Sequence, residues 1–114
     1  MQKQKESFVS DQEYPERRRH ERIRVSFFID WGFDTDCGRQ ARITSLSLGG
    51  CFLQTPDEAQ AGQSLYIRMS LPEEHLLAAE VRYHMPAVGF GIMFTNLTPQ
   101  EQAALETLIE YYKQ

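Results

Sequence analysis

Between Ile23 and Phe33 every odd position is apolar, with Ile23, Val25, Phe27, Ile29, Trp31 and Phe33 in turn, while Arg24, Ser26, Asp30 and Gly32 take most of the even ones. A period of two sends alternate side chains to opposite faces, so the run predicts a strand with one buried face. The pattern returns with Ala41 and Ile43 inside residues 39–47 and, in short form, at residues 51–53. It recurs at Leu65, Ile67, Met69 and Leu71, then at Ala79, Val81 and Tyr83, and last at Val88, Phe90, Ile92 and Phe94. Turn-forming residues separate these runs: residues 34–38, the pair Gly49-Gly50, the polar segment 56–63, Pro72-Glu73-Glu74 and Pro86. The expected chain is a meander of six short antiparallel strands.

After Phe94 the period changes. Thr98-Pro99-Gln100-Glu101 places a hydroxyl at the cap, proline at the first helical position and glutamate at the third, which is the signature of a capping box. Leu105, Leu108, Ile109 and Tyr112 then recur at three- and four-residue spacings, giving a helix with one apolar stripe. Six short strands leave two exposed edges unless the sheet closes. The predicted fold is therefore all-β with a terminal helix, a six-stranded antiparallel β-barrel capped by a C-terminal α-helix.

With 114 residues, 41% of them hydrophobic and 25% charged, the chain has the size and composition of one folded domain with a single core. Residues 1–16 are polar apart from isolated points such as Phe8 and Val9, and Pro15 disfavours a helix running on, so they are expected to form a flexible arm. Residues 17–114 are expected to form the barrel domain. No apolar run approaches the roughly 18 residues that would span a bilayer, and Met-Gln-Lys-Gln-Lys-Glu lacks the apolar core of a signal peptide, so the expected location is the cytoplasm without membrane insertion. Cys37 and Cys51 show neither a CxxC spacing nor a nearby histidine pair, and are expected to be a loop thiol and a small buried residue.

Charge is unevenly placed. Residues 1–24 carry seven Lys/Arg against five Asp/Glu, leaving five basic and eleven acidic residues for the remainder. Five of the arginines crowd into Arg17-Arg18-Arg19-His20-Glu21-Arg22-Ile23-Arg24. An acidic body with a basic collar suits one compact anionic ligand better than a long phosphate backbone, which the body would repel. Arg18 and Arg22 can approach one ligand from two sides, and guanidinium groups match phosphate oxygens and the O6 and N7 acceptors of guanine. The Ser45-Leu46-Ser47-Leu48-Gly49-Gly50 turn offers hydroxyls for a base edge and glycines for close approach. Catalysis finds little support: His20, His75 and His84 are scattered, no glycine precedes Ser45 or Ser47 as a GxSxG elbow requires, and Gly89-Phe90-Gly91 lies inside a strand pattern, where glycines permit bending. No enzyme and no cofactor are expected.

The Arg-Arg-x-x-x-Arg element before the first strand, the Ser-x-Ser-x-x-Gly turn, the Gly-Phe-Gly-Ile-Met-Phe strand and the closing helix together resemble a PilZ domain over about residues 15–112. Such domains are six-stranded barrels that act as receptors for cyclic di-GMP. The resemblance implies ligand contacts at Arg18 and Arg22, with Arg17 at the position associated with an intercalated pair of messenger molecules. It implies a second element at Ser45, Ser47, Gly49 and Gly50, and a stacking candidate at Arg82. Ser45 departs from the Asp or Asn usual there, and a hydroxyl is a weaker acceptor than a carboxylate; losing that contact alone would cost about 1–3 kcal/mol. The expected function is a non-enzymatic cyclic di-GMP receptor whose arginine arm changes conformation on binding and signals to a protein partner, with no nucleic acid polymer as ligand. Two other readings compete: a PilZ-like adaptor that has lost nucleotide binding, and nucleic-acid binding by the arginine cluster, which would weaken steeply with salt.

Overall fold

The computed structural model describes residues 21–113. Six strands and one helix follow in order: β1 (Ile23–Gly32), β2 (Arg39–Leu46), β3 (Gly50–Gln54), β4 (Ser64–Ser70), β5 (Glu74–Met85), β6 (Gly89–Thr95) and α1 (Pro99–Lys113). All strand pairs are antiparallel and the sheet closes into a barrel in the order β1-β2-β3-β6-β5-β4. The all-β barrel with a terminal helix is as the periodicity predicts.

The order is not a meander. β1-β2-β3 and β4-β5-β6 are each joined by consecutive pairings, but β3 lies beside β6 and β1 beside β4. Residues 55–63, which connect β3 to β4, form a loop too long for a tight hairpin, and the two strands they join do not pair.

Inward residues follow the alternation. Trp31, Ile43, Leu53, Ile67 and Phe90 are fully buried, and Phe90 meets Trp31 edge-on with centroids 5.2 Å apart. Cys37 departs from the loop reading in one respect: it sits in the turn between β1 and β2 with φ of 51°, yet it is buried, its thiol facing the Tyr66 carbonyl. The turn tightens around Asp34, whose carboxylate accepts the Asp36 N–H at 3.0 Å.

The ladder between β1 and β4 is short, running only from Asp30–Arg68 to Gly32–Tyr66. Beyond it α1 packs on β1: Leu105 and Ile109 are buried in the common core, Leu108 and Tyr112 pack against it, and Phe27 stacks on Tyr112 at 5.6 Å. The capping box forms as its spacing requires, with Glu101 N–H donating to Thr98 Oγ1 and Thr98 N–H donating to Glu101 Oε1, both at 3.0 Å. No helix among the described residues is long and apolar enough to cross a membrane.

Candidate functional site

Three irregularities in the barrel ladders converge on one row of its outer wall. Registers shift between Arg24 and Phe27 on β1, between Ile43 and Ser45 on β2, and between Val81 and Tyr83 on β5. An extra residue in one strand of a pair resets which side chains face outward. The resulting row passes from Arg24 to Ser45, Phe52, Gly91 and Tyr83, each the cross-strand partner of the next. Its inward neighbours Ile43, Leu46, Leu53, Phe90 and Val81 are all buried.

The bulge on β5 overturns one expectation from the alternation. Ala79 and Val81 point inward at 2% and 1% exposure, but Tyr83 is 41% exposed. Arg82 is the extra residue opposite β6, so the phase flips and both Arg82 and Tyr83 stand on the outer surface. Arg82 leans back until Nη1 is 3.1 Å from the Met93 sulfur, a weak acceptor. Met93 is in turn the cross-strand partner of Gly50, so Arg82 lies one strand away from the serine-glycine turn.

That turn is built from its own side chains. Ser47 Oγ accepts the N–H groups of Gly49 at 3.1 Å and Gly50 at 3.2 Å and donates to the Gly50 carbonyl at 3.3 Å, while the Ser47 N–H donates to the same carbonyl at 2.8 Å. The Gly49 carbonyl accepts the Phe94 N–H at 2.9 Å, tying the turn to β6. A Cβ at Gly50 would collide with the Ile92 carbonyl. Ser47 and Gly50 thus have roles in the fold itself, one satisfying buried amides and the other letting β3 approach β6.

Ser45 differs, because it faces outward. Arg22, exposed just before β1, brings Nη1 to 3.5 Å from Ser45 Oγ, and Arg24 stands directly across the ladder from Ser45. One step along the same wall, Arg42 donates Nε to Gln54 Oε1 at 3.0 Å. Two guanidinium groups, those of Arg22 and Arg24, therefore face one neutral hydroxyl, with Arg42 further along the same wall, an arrangement suited to an anion. Beneath them Cys51 is fully enclosed; burial pushes its thiol pKa far up, against a smaller opposing pull from the Arg22 charge. Glu21 Oε1 accepts from Lys113 Nζ at 3.1 Å and so links the start of this wall to the end of α1.

Of the residues singled out in the sequence, the structure brings Arg22, Ser45, Ser47, Gly49, Gly50 and Arg82 to one side of the barrel. Arg17 and Arg18, and the arm at residues 1–16, lie outside the described residues. Sequence reasoning missed Arg24, Phe52 and Tyr83 as site candidates. Arg24 reads as a solvent-facing strand residue, Tyr83 as the continuation of an alternating apolar set, and Phe52 only as part of a short strand. The available signal was Gly89 and Gly91 at alternate positions, which strips side chains from one face of β6. A cleft of about 450 Å³ between β1, β4 and α1, lined by residues including Phe28, Asp30, Arg68 and Leu108, contains none of the predicted site residues.

The family model for the PilZ domain matches residues 16–111. The PilZ domain of CeSA from a cellulose-synthesizing bacterium aligns with a TM-score of 0.63 at 19% identity, covering 82% of this chain and 99% of that one. YcgR of Escherichia coli in complex with c-di-GMP aligns with a TM-score of 0.65 at 21% identity, covering 85% of this chain and 46% of that one. MrkH of K. pneumonia, also as a c-di-GMP complex, gives 0.65 at 16% identity, covering 83% and 51%. The chain thus spans about half the length of the latter two, and at these identities the likeness is one of fold. A sequence comparison with curated proteins finds no match.

Proposed function

This chain belongs to the PilZ domain family, and from that premise we propose that it is a non-enzymatic receptor for cyclic di-GMP acting in the cytoplasm. The observation that carries the reading is the meeting of Arg22 with Ser45 at 3.5 Å, beside the Ser47–Gly50 turn and opposite Arg24. These are two motif elements far apart in sequence, and their union on one basic wall suits a guanine nucleotide: guanidinium forks for phosphate and for guanine O6 and N7, and a hydroxyl for a base edge. Two structural neighbours are themselves c-di-GMP complexes. Arg17 and Arg18 extend the same basic element toward the N-terminus, Arg17 at the position associated with a bound pair of messenger molecules. Arg82, next to Met93 and Gly50, is a further contact.

Output follows from ordering. Several charge-assisted hydrogen bonds drawn from the arginine element fix its conformation at a cost in chain entropy, and the altered surface is what a protein partner reads. The Glu21 to Lys113 ion pair gives that change a route to α1.

A second reading, an adaptor that no longer binds nucleotide, is favoured by Ser45 in place of Asp or Asn and by a Ser47 hydroxyl already engaged within its own turn. Calorimetric titration with cyclic di-GMP separates the two. Binding that Arg22→Ala and Arg18→Ala weaken supports the receptor. No heat at high micromolar ligand, with binding gained in Ser45→Asp, identifies the adaptor.

A further inference from the structure

The ladder between β1 and β4 ends at Asp30–Arg68, although β1 runs back to Ile23 and β4 on to Ser70. Beyond that pair the two strands are not bonded to each other, and the cleft of about 450 Å³ opens there, with Leu108 and Tyr112 of α1 along one side. Consecutive phenylalanines take the two faces of β1 at this point. Phe27 stacks on Tyr112, whereas Phe28 lines the cleft and is 66% exposed. A ring so exposed adds nothing to the barrel core, and apolar surface beside a concavity marks an interaction site.

The remaining wall of the cleft carries an excess of negative charge. Arg68 Nε lies 3.0 Å from Glu74 Oε2, and its Nη2 donates to the Thr35 carbonyl at 3.2 Å, so this guanidinium is already engaged. Asp30 forms no ion pair among the described residues. The cleft therefore fits an occupant that combines an apolar anchor with a nearby positive charge.

The chain itself carries such a segment. Residues 1–20 lie outside the described residues, and they join the barrel at Glu21, which is held to Lys113, the neighbour of the cleft residue Tyr112. Phe8 is 13 positions before Glu21, a reach of about 43 Å when fully extended and roughly 20 Å as a random coil. Charge selects Phe8 over Tyr14, the other aromatic residue of that stretch. Lys3 and Lys5 outweigh Glu6 ahead of Phe8, while Tyr14 is set among Asp11, Glu13 and Glu16, which the carboxylates of the cleft repel.

We infer that Phe8, with Val9 beside it and Lys5 facing Asp30 and Glu74, docks in the cleft between β1, β4 and α1 of its own barrel. Docking there covers the Phe28 ring and removes apolar surface from water. A tethered segment acts at millimolar effective concentration, so a contact too weak to hold a separate peptide is sufficient. Docking needs no nucleotide and stands apart from the receptor reading above.

The test is nuclear magnetic resonance of the full chain, isotopically labelled and without ligand. Cross-relaxation between the Phe8 ring and the Leu108 methyl groups is the expected result. Phe8→Ala should abolish it and shift the amides of Phe28, Asp30, Arg68 and Leu108, while circular dichroism shows the barrel unchanged. Phe8→Leu should keep the contact, and Lys5→Glu should weaken it, most at low salt. Isotope-filtered spectra of a mixture of labelled and unlabelled chains identify the molecule to which the segment belongs. Contacts found only between molecules put the segment of a second copy in the cleft and overturn docking within one chain. Absence of the contact, with Phe8→Ala shifts confined to residues beside position 8, overturns the docking and leaves the cleft to another occupant.

Discussion

Arg22 and Ser45 are 23 positions apart, yet the Arg22 guanidinium comes within 3.5 Å of the Ser45 hydroxyl, at the outer limit of a hydrogen bond. With Arg24 directly opposite on the β1–β2 ladder, Ser45 is a neutral group facing two cations. A carboxylate at this position would pair with the guanidinium groups and accept guanine N–H donors with charge assistance. Ser45→Asp is therefore expected to tighten cyclic di-GMP binding roughly tenfold to a hundredfold, as read by calorimetry. Stability should change by less than about 1 kcal/mol, since exposed pairs contribute little. Unchanged affinity would remove Ser45 from the site.

The turn after β2 separates folding roles from binding roles. Ser47→Ala strands two N–H groups and should cost about 1–3 kcal/mol in denaturant unfolding. Gly50→Ala should cost at least about 3 kcal/mol, because the collision is with the Ile92 backbone and no rotamer change relieves it. If Gly50→Ala melts like the parent, the close approach of β3 to β6 is not as described.

At the other end of the chain, the cap and the stripe of α1 can be weighed against each other. Thr98→Ala removes the side-chain acceptor of the Glu101 N–H and should cost about 1 kcal/mol. Leu105→Ala empties a fully buried site in the common core and should cost about 2–5 kcal/mol. Equal losses in thermal melts would mean that α1 is held by its own backbone rather than by packing on the barrel.

Alkaline pH should destabilise the protein through its thiols. Burial raises the pKa of Cys51, and to a lesser extent of Cys37, so the folded state retains protons that the unfolded chain releases. Where the unfolded state binds fewer protons, stability falls as pH rises. The loss should begin near the ordinary thiol pKa of about 8.5 and continue upward, and Cys51→Ala should flatten the slope in urea melts between about pH 8 and 10. An unaltered slope would show that Cys51 is not the group responsible.

Much of the architecture was legible because it rests on local chemistry. The odd positions from Ile23 to Trp31 face inward because a strand has a period of two, and Thr98 with Glu101 forms its capping box because three residues of helix bring the two together. Ser47 and Gly50 were recognisable as a turn, but their reasons were not: the satisfaction of two amides and the nearness of Ile92 depend on where β6 lies. Tyr83 was the clearest failure, an apparent core residue that a single extra residue turned outward.

The sequence by itself determined six strands, a capped helix, the inward face of most strands and an arginine-rich element before the first. These follow from periodicity and from contacts between near neighbours, which need no knowledge of the remainder of the chain. Tertiary structure decided that β3 lies beside β6 and β1 beside β4, and so which outward residues share a row. Closing the barrel fixed registers between distant strands, and bulges in three of them set Arg24, Ser45, Phe52 and Tyr83 on one surface. The physical reason is that a side chain's alternation is a property of its own strand, whereas its neighbours across the ladder depend on pairings that only the closed sheet establishes.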